Sequence, residues 1–164
     1  MEKRDLYDEN KILTGETIFK GEPIPQGKYY ITVVAFVRNS KGEFLLEQLP
    51  KAKNNFWSFP GGHPKSGESS LDGIVIELDE ELGIKVTGEK LKLFETIKTE
   101  DDFVDLYYTT LDMNIADVVI QKEEVESAKW ASIEEIEKMI KEGIFLPPHI
   151  DFYKLYLDYM RNNK

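Results

Sequence analysis

Two periodicities run through this chain, one of strands and one of helices, with one helix set between strands and two at the end. Residues 29–38 are almost unbroken in β-branched and aromatic side chains, the pattern of a central strand covered on both faces. A turn at Asn39-Ser40-Lys41-Gly42 and a returning strand over 43–49 complete a hairpin. Ahead of it, 5–10 and 11–20 read as a shorter hairpin turning at Asp8-Glu9-Asn10, followed by a Pro/Gly connector over 21–27 that cannot be helical. That connector leaves open whether the hairpin packs on its own subunit or on a neighbour. Residues 89–100, 103–114 and 126–131 add three more strands, and Trp57 just before the glycines reads as a core anchor.

Helical spacing appears in three places. From Ser69, Leu71, Ile74, Val75, Leu78 and Leu82 recur at three-and-four intervals, with Asp72 placed for a capping box and Gly83 as the stop. A second capping box, Ser132 with Glu135, opens a helix running to about Lys141. A third helix is predicted over 149–161, with Ile150, Tyr153, Leu157 and Met160 as its apolar stripe. Strands with three helices make a mixed α/β domain, divided here into a hairpin and connector at 1–27 and a globular unit at 28–164.

Composition narrows the function classes. A formal net charge of -10 argues against broad binding to nucleic acid or to an anionic membrane, both of which need clustered cations. It still permits a small anionic substrate, because a bound metal can supply positive charge locally. With no cysteine, disulfides, zinc–thiolate sites and thiol nucleophiles are excluded together. No apolar run is long enough to span a bilayer and the opening residues lack a signal-peptide core, so the expected compartment is the cytoplasm.

The charge is not evenly spread. Between Lys65 and Lys85 there is no Lys or Arg, while Glu68, Asp72, Glu77, Asp79, Glu80 and Glu81 all fall there. Glu77, Glu80 and Glu81 stand at i, i+3 and i+4 and share one helix face. In a cleft of effective dielectric near 20, two carboxylates ~5 Å apart repel by roughly 3 kcal/mol. Such a face therefore needs a divalent cation or a shared proton, and hard oxygen ligands suit Mg²⁺ or Mn²⁺. On an open surface the same triplet is simply a solvated helix face.

The spacing of Gly62, Glu68, Glu77, Leu78, Glu80, Glu81, Gly83 and Ile84 resembles the signature of the Nudix hydrolases, G-x5-E-x7-R-E-U-x-E-E-x-G-U with U a bulky aliphatic. The resemblance implies an α/β/α sandwich around a mixed sheet, here with an N-terminal β-hairpin extension, and Mg²⁺- or Mn²⁺-dependent cleavage of a small-molecule diphosphate such as a nucleoside diphosphate derivative. It also implies metal ligation by Glu77, Glu80 and Glu81 through their carboxylates and by Gly62 through its carbonyl. Glu77 or Glu80 is then the candidate general base, and Glu68 supports the cluster. Glu123, Glu124 and Glu126 are candidates for a further acid from a later loop, and Lys51, Lys53 and His63 for phosphate contacts. His149 reads as a helix-start residue. Ile76 stands where the signature has Arg, which implies retained metal binding with reduced turnover, or a Nudix-fold module that binds without cleaving. The opening, with Leu6 to Asn10, Thr14-Gly15 and Gly21-Glu22-Pro23, is similar to the isopentenyl-diphosphate isomerase branch, whose chemistry relies on a Cys absent here. The hairpin also suggests a homodimer.

Overall fold

The computed structural model describes residues 2–163. Two strands, β1 (Lys3–Tyr7) and β2 (Leu13–Phe19), form the opening hairpin. The turn between them is tied by the Asp8 carboxylate, which accepts the N–H groups of Asn10 and Ile12 at 2.8 and 3.0 Å. The hairpin packs on its own chain: the backbones of Tyr7 and Tyr29 exchange hydrogen bonds of 2.7 and 2.9 Å.

The main sheet is built on β3 (Tyr30–Arg38), with β4 (Phe44–Gln48), β5 (Trp57–Ser58), β6 (Gly61–Gly62), β7 (Lys92–Lys98), β8 (Asp102–Thr110) and β9 (Ser127–Ala131) around it. Its path runs β5-β4-β3-β8-β7, with β6 paired to β3 and β9 to β4. Only β3 and β8 are parallel, so the sheet is mixed. The 89–100 segment is shorter as a strand than its sequence suggests, because Gly88–Lys90 winds into a 3₁₀ turn before β7 begins.

Alternation along β3 feeds two separate cores. Ile31, Val33, Ala35 and Val37 face helix α1 (Ser70–Leu82), packing with Ile74, Leu78 and Leu82. Val34 and Phe36 face the opposite layer, where α2 (Ile133–Lys141) and α3 (Pro147–Asn162) contribute Ile136, Met139, Tyr153 and Tyr156. A strand buried on both faces is the reason its apolarity is continuous. The result is the expected α/β/α sandwich with an N-terminal hairpin. Helix α3 begins two residues earlier than predicted, since Pro147 and Pro148 occupy the first turn, where a missing N–H leaves no bond unmade. Its deepest residues are Tyr153 and Tyr156; Ile150, Leu157 and Met160 flank them half-buried.

The hairpin is also anchored by charge. Asp105 on β8 has a side chain with 0% exposure, and it accepts two hydrogen bonds from Lys11 Nζ at 2.7 and 2.8 Å. Ser70 Oγ and Thr96 Oγ1 donate to it at 2.5 and 2.6 Å. Lys11 takes a left-handed backbone, φ 64°, to reach this acid. Nothing in the local sequence pattern announces the pairing, because the partners lie 94 residues apart.

Candidate functional site

Sheet and helix meet at Gly61-Gly62. A Cβ on Gly61 would collide with the Val33 carbonyl, so only glycine lets this strand lie against β3. A Cβ on Gly62 would fall 2.5 Å from the Glu77 carboxyl carbon, so the space beside this glycine is filled by a helix carboxylate. Ser69 then opens α1 with both halves of its capping box made to Asp72, and Gly83 closes it at φ 66°. The helix is thereby fixed at both ends, which holds its acidic face over the strand edge.

That face lines a cavity of about 450 Å³. Glu77, Glu80 and Glu81 line it from α1, Glu47 from β4, and Glu124 from the loop before β9. Burial is the first cause of a raised carboxyl at three of these. Glu47, 3% exposed, is pushed up to about 8 by burial and then by the charges of Glu77 and Glu124. Glu81 is raised by burial, by its hydrogen bond with Glu77 and by Glu47. Glu77 is raised by burial, partly offset by that same hydrogen bond and by Lys65. Crowding thus disfavours the charged forms of Glu77 and Glu81 together, a cost that a divalent cation or a shared proton relieves. Glu47 Oε2 is buried with no hydrogen-bond partner. As the side chains stand, no three His, Asp or Glu groups among the described residues converge on one ion position. The donor set is nevertheless all hard oxygen, with one orphaned carboxylate oxygen to satisfy, which suits Mg²⁺ or Mn²⁺.

Cations rim the cavity rather than fill it. Lys53 pairs with Glu124 at 2.7 Å and Lys65 with Glu80 at 3.5 Å. Arg4 and Lys20 come from the hairpin, so the N-terminal extension forms part of the wall. Arg4 lies 5.5 Å over the Tyr30 ring, with its Nε 3.2 Å from Glu2.

A NUDIX domain model matches residues 28–154. The chain belongs to the Nudix family. It is 32% identical over 151 residues to an uncharacterized Nudix hydrolase of Listeria monocytogenes, covering 90% of this chain and 89% of that one. In fold it is similar to the Deinococcus radiodurans protein DR0079, with a TM-score of 0.71, 21% identity and coverage of 88% and 91% of the two chains. It is also similar to a bifunctional NMN adenylyltransferase/ADP ribose pyrophosphatase of Francisella tularensis complexed with AMP and a manganese ion, with a TM-score of 0.66, 19% identity, and coverage of 85% of this chain and 43% of that one.

Among the Nudix signature residues, Gly62, Glu77, Glu80 and Glu81 come together at the cavity, and Glu68 does not. Its carboxylate instead accepts the Lys65 N–H at 2.8 Å, closing the loop ahead of α1. Of the three later acids only Glu124 reaches the wall; Glu123 and Glu126 are exposed. Lys53 lines the cavity, while Lys51 is exposed and outside it. Trp57 stays out of the cavity with Lys129 4.5 Å over its ring. His149 lies in the first turn of α3, where it is half-buried and accepts the Phe59 N–H at 3.1 Å. Burial alone pushes it down to about 3.

Glu47 is the residue that motif spacing misses. A lone acid after Phe44-Leu45-Leu46 in a buried strand was the available signal, since a charge there needs a partner.

Proposed function

We propose that this protein hydrolyses the diphosphate linkage of a nucleoside diphosphate derivative with the help of Mg²⁺ or Mn²⁺. The observation that carries the reading is the convergence of Glu47, Glu77, Glu80, Glu81 and Glu124 on one cavity, three of them raised by burial and mutual repulsion. The Gly62 carbonyl and the carboxylates of Glu77, Glu80 and Glu81 hold the metal, and Glu47 and Glu124 stand close enough in the same cavity to complete the site. When bound, a divalent ion there neutralises the diphosphate and acidifies water. Glu77 or Glu80 takes the proton from the attacking water. Lys53, Lys65 and Arg4 offer charge-assisted hydrogen bonds to the phosphate oxygens that the ion leaves free. The Francisella neighbour, of which this chain covers 43%, was solved with AMP and a manganese ion, ligands of the class proposed here.

Ile76 favours one other reading, a Nudix-fold module that binds a nucleotide without cleaving it, because no arginine stands at that position to hold a catalytic carboxylate. Mg²⁺-dependent phosphate or nucleotide release over a panel of nucleoside diphosphate derivatives separates the two. The hydrolase reading expects turnover that Glu77→Gln abolishes without unfolding, and a faster Ile76→Arg variant. A binder shows saturable nucleotide binding and no turnover with any member of the panel.

A further inference from the structure

A second cavity of about 440 Å³ opens beside the carboxylate cluster and shares Glu47, Leu49, Gly61, Gly62 and His63 with the first. A molecule whose diphosphate lies at the acids therefore places its attached group here. Phe152 and Tyr30 offer ring surface. The polar side chains of its wall include donors at Ser58 and His149, whose Nδ1 accepts the Phe59 N–H, and acceptors at Asp102 and His63. Asp102 accepts Thr32 Oγ1 at 2.6 Å on Oδ2 and Thr99 Oγ1 on Oδ1. Thr99 Oγ1 itself accepts the N–H groups of Asp101 and Asp102 at 3.2 and 3.1 Å, which leaves its proton for the Asp102 carboxylate. No Lys or Arg among the described residues makes an ion pair with Asp102. Each of its oxygens keeps an unused lone pair.

His63 adds a second acceptor. Its Nδ1 lies 3.3 Å from the Ile31 carbonyl and 3.3 Å from Thr32 Oγ1, whose proton is committed to Asp102. Both neighbours present lone pairs, so Nδ1 carries the ring proton and Nε2 is a bare acceptor.

We propose that this second cavity selects a planar ring that brings N–H donors, an amino-bearing nucleobase, with Asp102 and His63 as the accepting residues. The inference rests on the hydrolase reading only for where the diphosphate lies. A keto group facing Asp102 would set an acceptor against a carboxylate, and the one ring N–H that uracil or hypoxanthine carries can serve only one of the two acceptors, whereas an exocyclic amine brings two N–H donors; amino bases are therefore preferred. A purely aliphatic diphosphate would offer no donor to the remaining lone pairs of these two acceptors.

Binding of CMP against UMP, and of AMP against IMP, by calorimetry with Mg²⁺ tests this without relying on turnover. The expected result is roughly 10-fold or greater preference for the amino member of each pair, in line with a hydrogen bond to a charged group. Asp102→Asn, nearly isosteric, should bring both ratios close to one, because an amide donates as readily as it accepts. Equal binding of the amino and oxo members by the unaltered chain, or ratios untouched by Asp102→Asn, overturns the proposal. Hydrolysis of CDP, UDP, ADP and IDP derivatives run in parallel keeps the two conclusions apart: release without base preference sinks this inference alone, and base preference in binding without release sinks the hydrolase reading alone.

Discussion

Replacing Lys11 by Met tests whether the hairpin is held by one buried ion pair. Met keeps the aliphatic stem and, like Lys, has a Cβ, so the left-handed backbone at φ 64° is equally strained in both chains. What is lost is the ammonium that makes two hydrogen bonds of 2.7 and 2.8 Å to Asp105, leaving that acid with the Ser70 and Thr96 hydroxyls. Removing one partner of a buried pair costs about 3–5 kcal/mol. Here the Asp105 side chain is 0% exposed but that of Lys11 is 31% exposed, so water can reach the space Nζ leaves. The cost should fall to about 2–3 kcal/mol, which for a chain of this size lowers Tm by about 4–12 °C. Thermal and urea unfolding at pH 7 measure it. Adding Asp105→Asn should recover much of the loss, because an amide needs no counter-charge; the two changes should therefore be non-additive. A Lys11→Met chain within about 1 °C of the parent, or strict additivity in the double variant, would refute the reasoning.

Four further outcomes follow. Gly62→Ala puts a Cβ 2.5 Å from the Glu77 carboxyl carbon, so Mn²⁺ affinity measured by calorimetry should drop at least about 10-fold while the fold persists; unchanged affinity would mean that Glu77 need not sit there. Glu47 holds its proton in the folded state up to about 8, whereas an unfolded chain releases it near 4.5, so unfolding releases a proton throughout that window and metal-free stability falls as pH rises through it. Tm in EDTA should therefore decline more between pH 6.5 and 8 for the parent than for Glu47→Gln, and Mg²⁺ should flatten the slope. The opposite sign applies to His149, depressed to about 3: unfolding takes up a proton below about 6.5, so stability should fall on acidification from there. Lys65→Met removes the only Lys or Arg between Lys53 and Lys85, a residue on which burial is the largest single effect and lowers it, but which Glu80, Glu68 and Glu77 together raise. Because its pair with Glu80 is half-exposed, Tm should move by under about 2 °C, whereas kcat/KM in the diphosphate assay should fall by about 10-fold.

The parts of this molecule legible in its sequence are those fixed by local rules. Helix α1 was readable because apolar spacing, a capping box and a terminal glycine all agree over Ser69 to Gly83; the structure makes the cap and the stop and buries Ile74, Leu78 and Leu82, while Leu71 of the predicted stripe stays exposed. The doubly covered β3 was readable for the same reason, since each alternate residue has a core to enter. The 3₁₀ turn before β7 was not, because Gly88–Lys90 carries no periodicity that distinguishes it from a strand end.

The long-range charges were illegible for a different reason, and they share a design. Asp105, Asp102 and Glu47 all sit on strands, in positions where pattern alone predicts either core or solvent. Each is given a different answer, in whole or in part by residues remote in sequence: a lysine 94 residues away, one hydroxyl 70 residues away beside a local one from Thr99, and a crowd of like charges. Asp105 is fully compensated and serves to hold the hairpin. Asp102 has donors but no cation, and Glu47 has an oxygen with no partner at all. Compensation therefore decreases from the anchoring end of the sheet toward the two cavities. Buried polar groups left short of partners cost free energy unless something outside the chain completes them. By that argument the two incompletely paired acids mark where ligand belongs, a cation at Glu47 and a donor-bearing ring at Asp102, and the fully paired one marks where it does not.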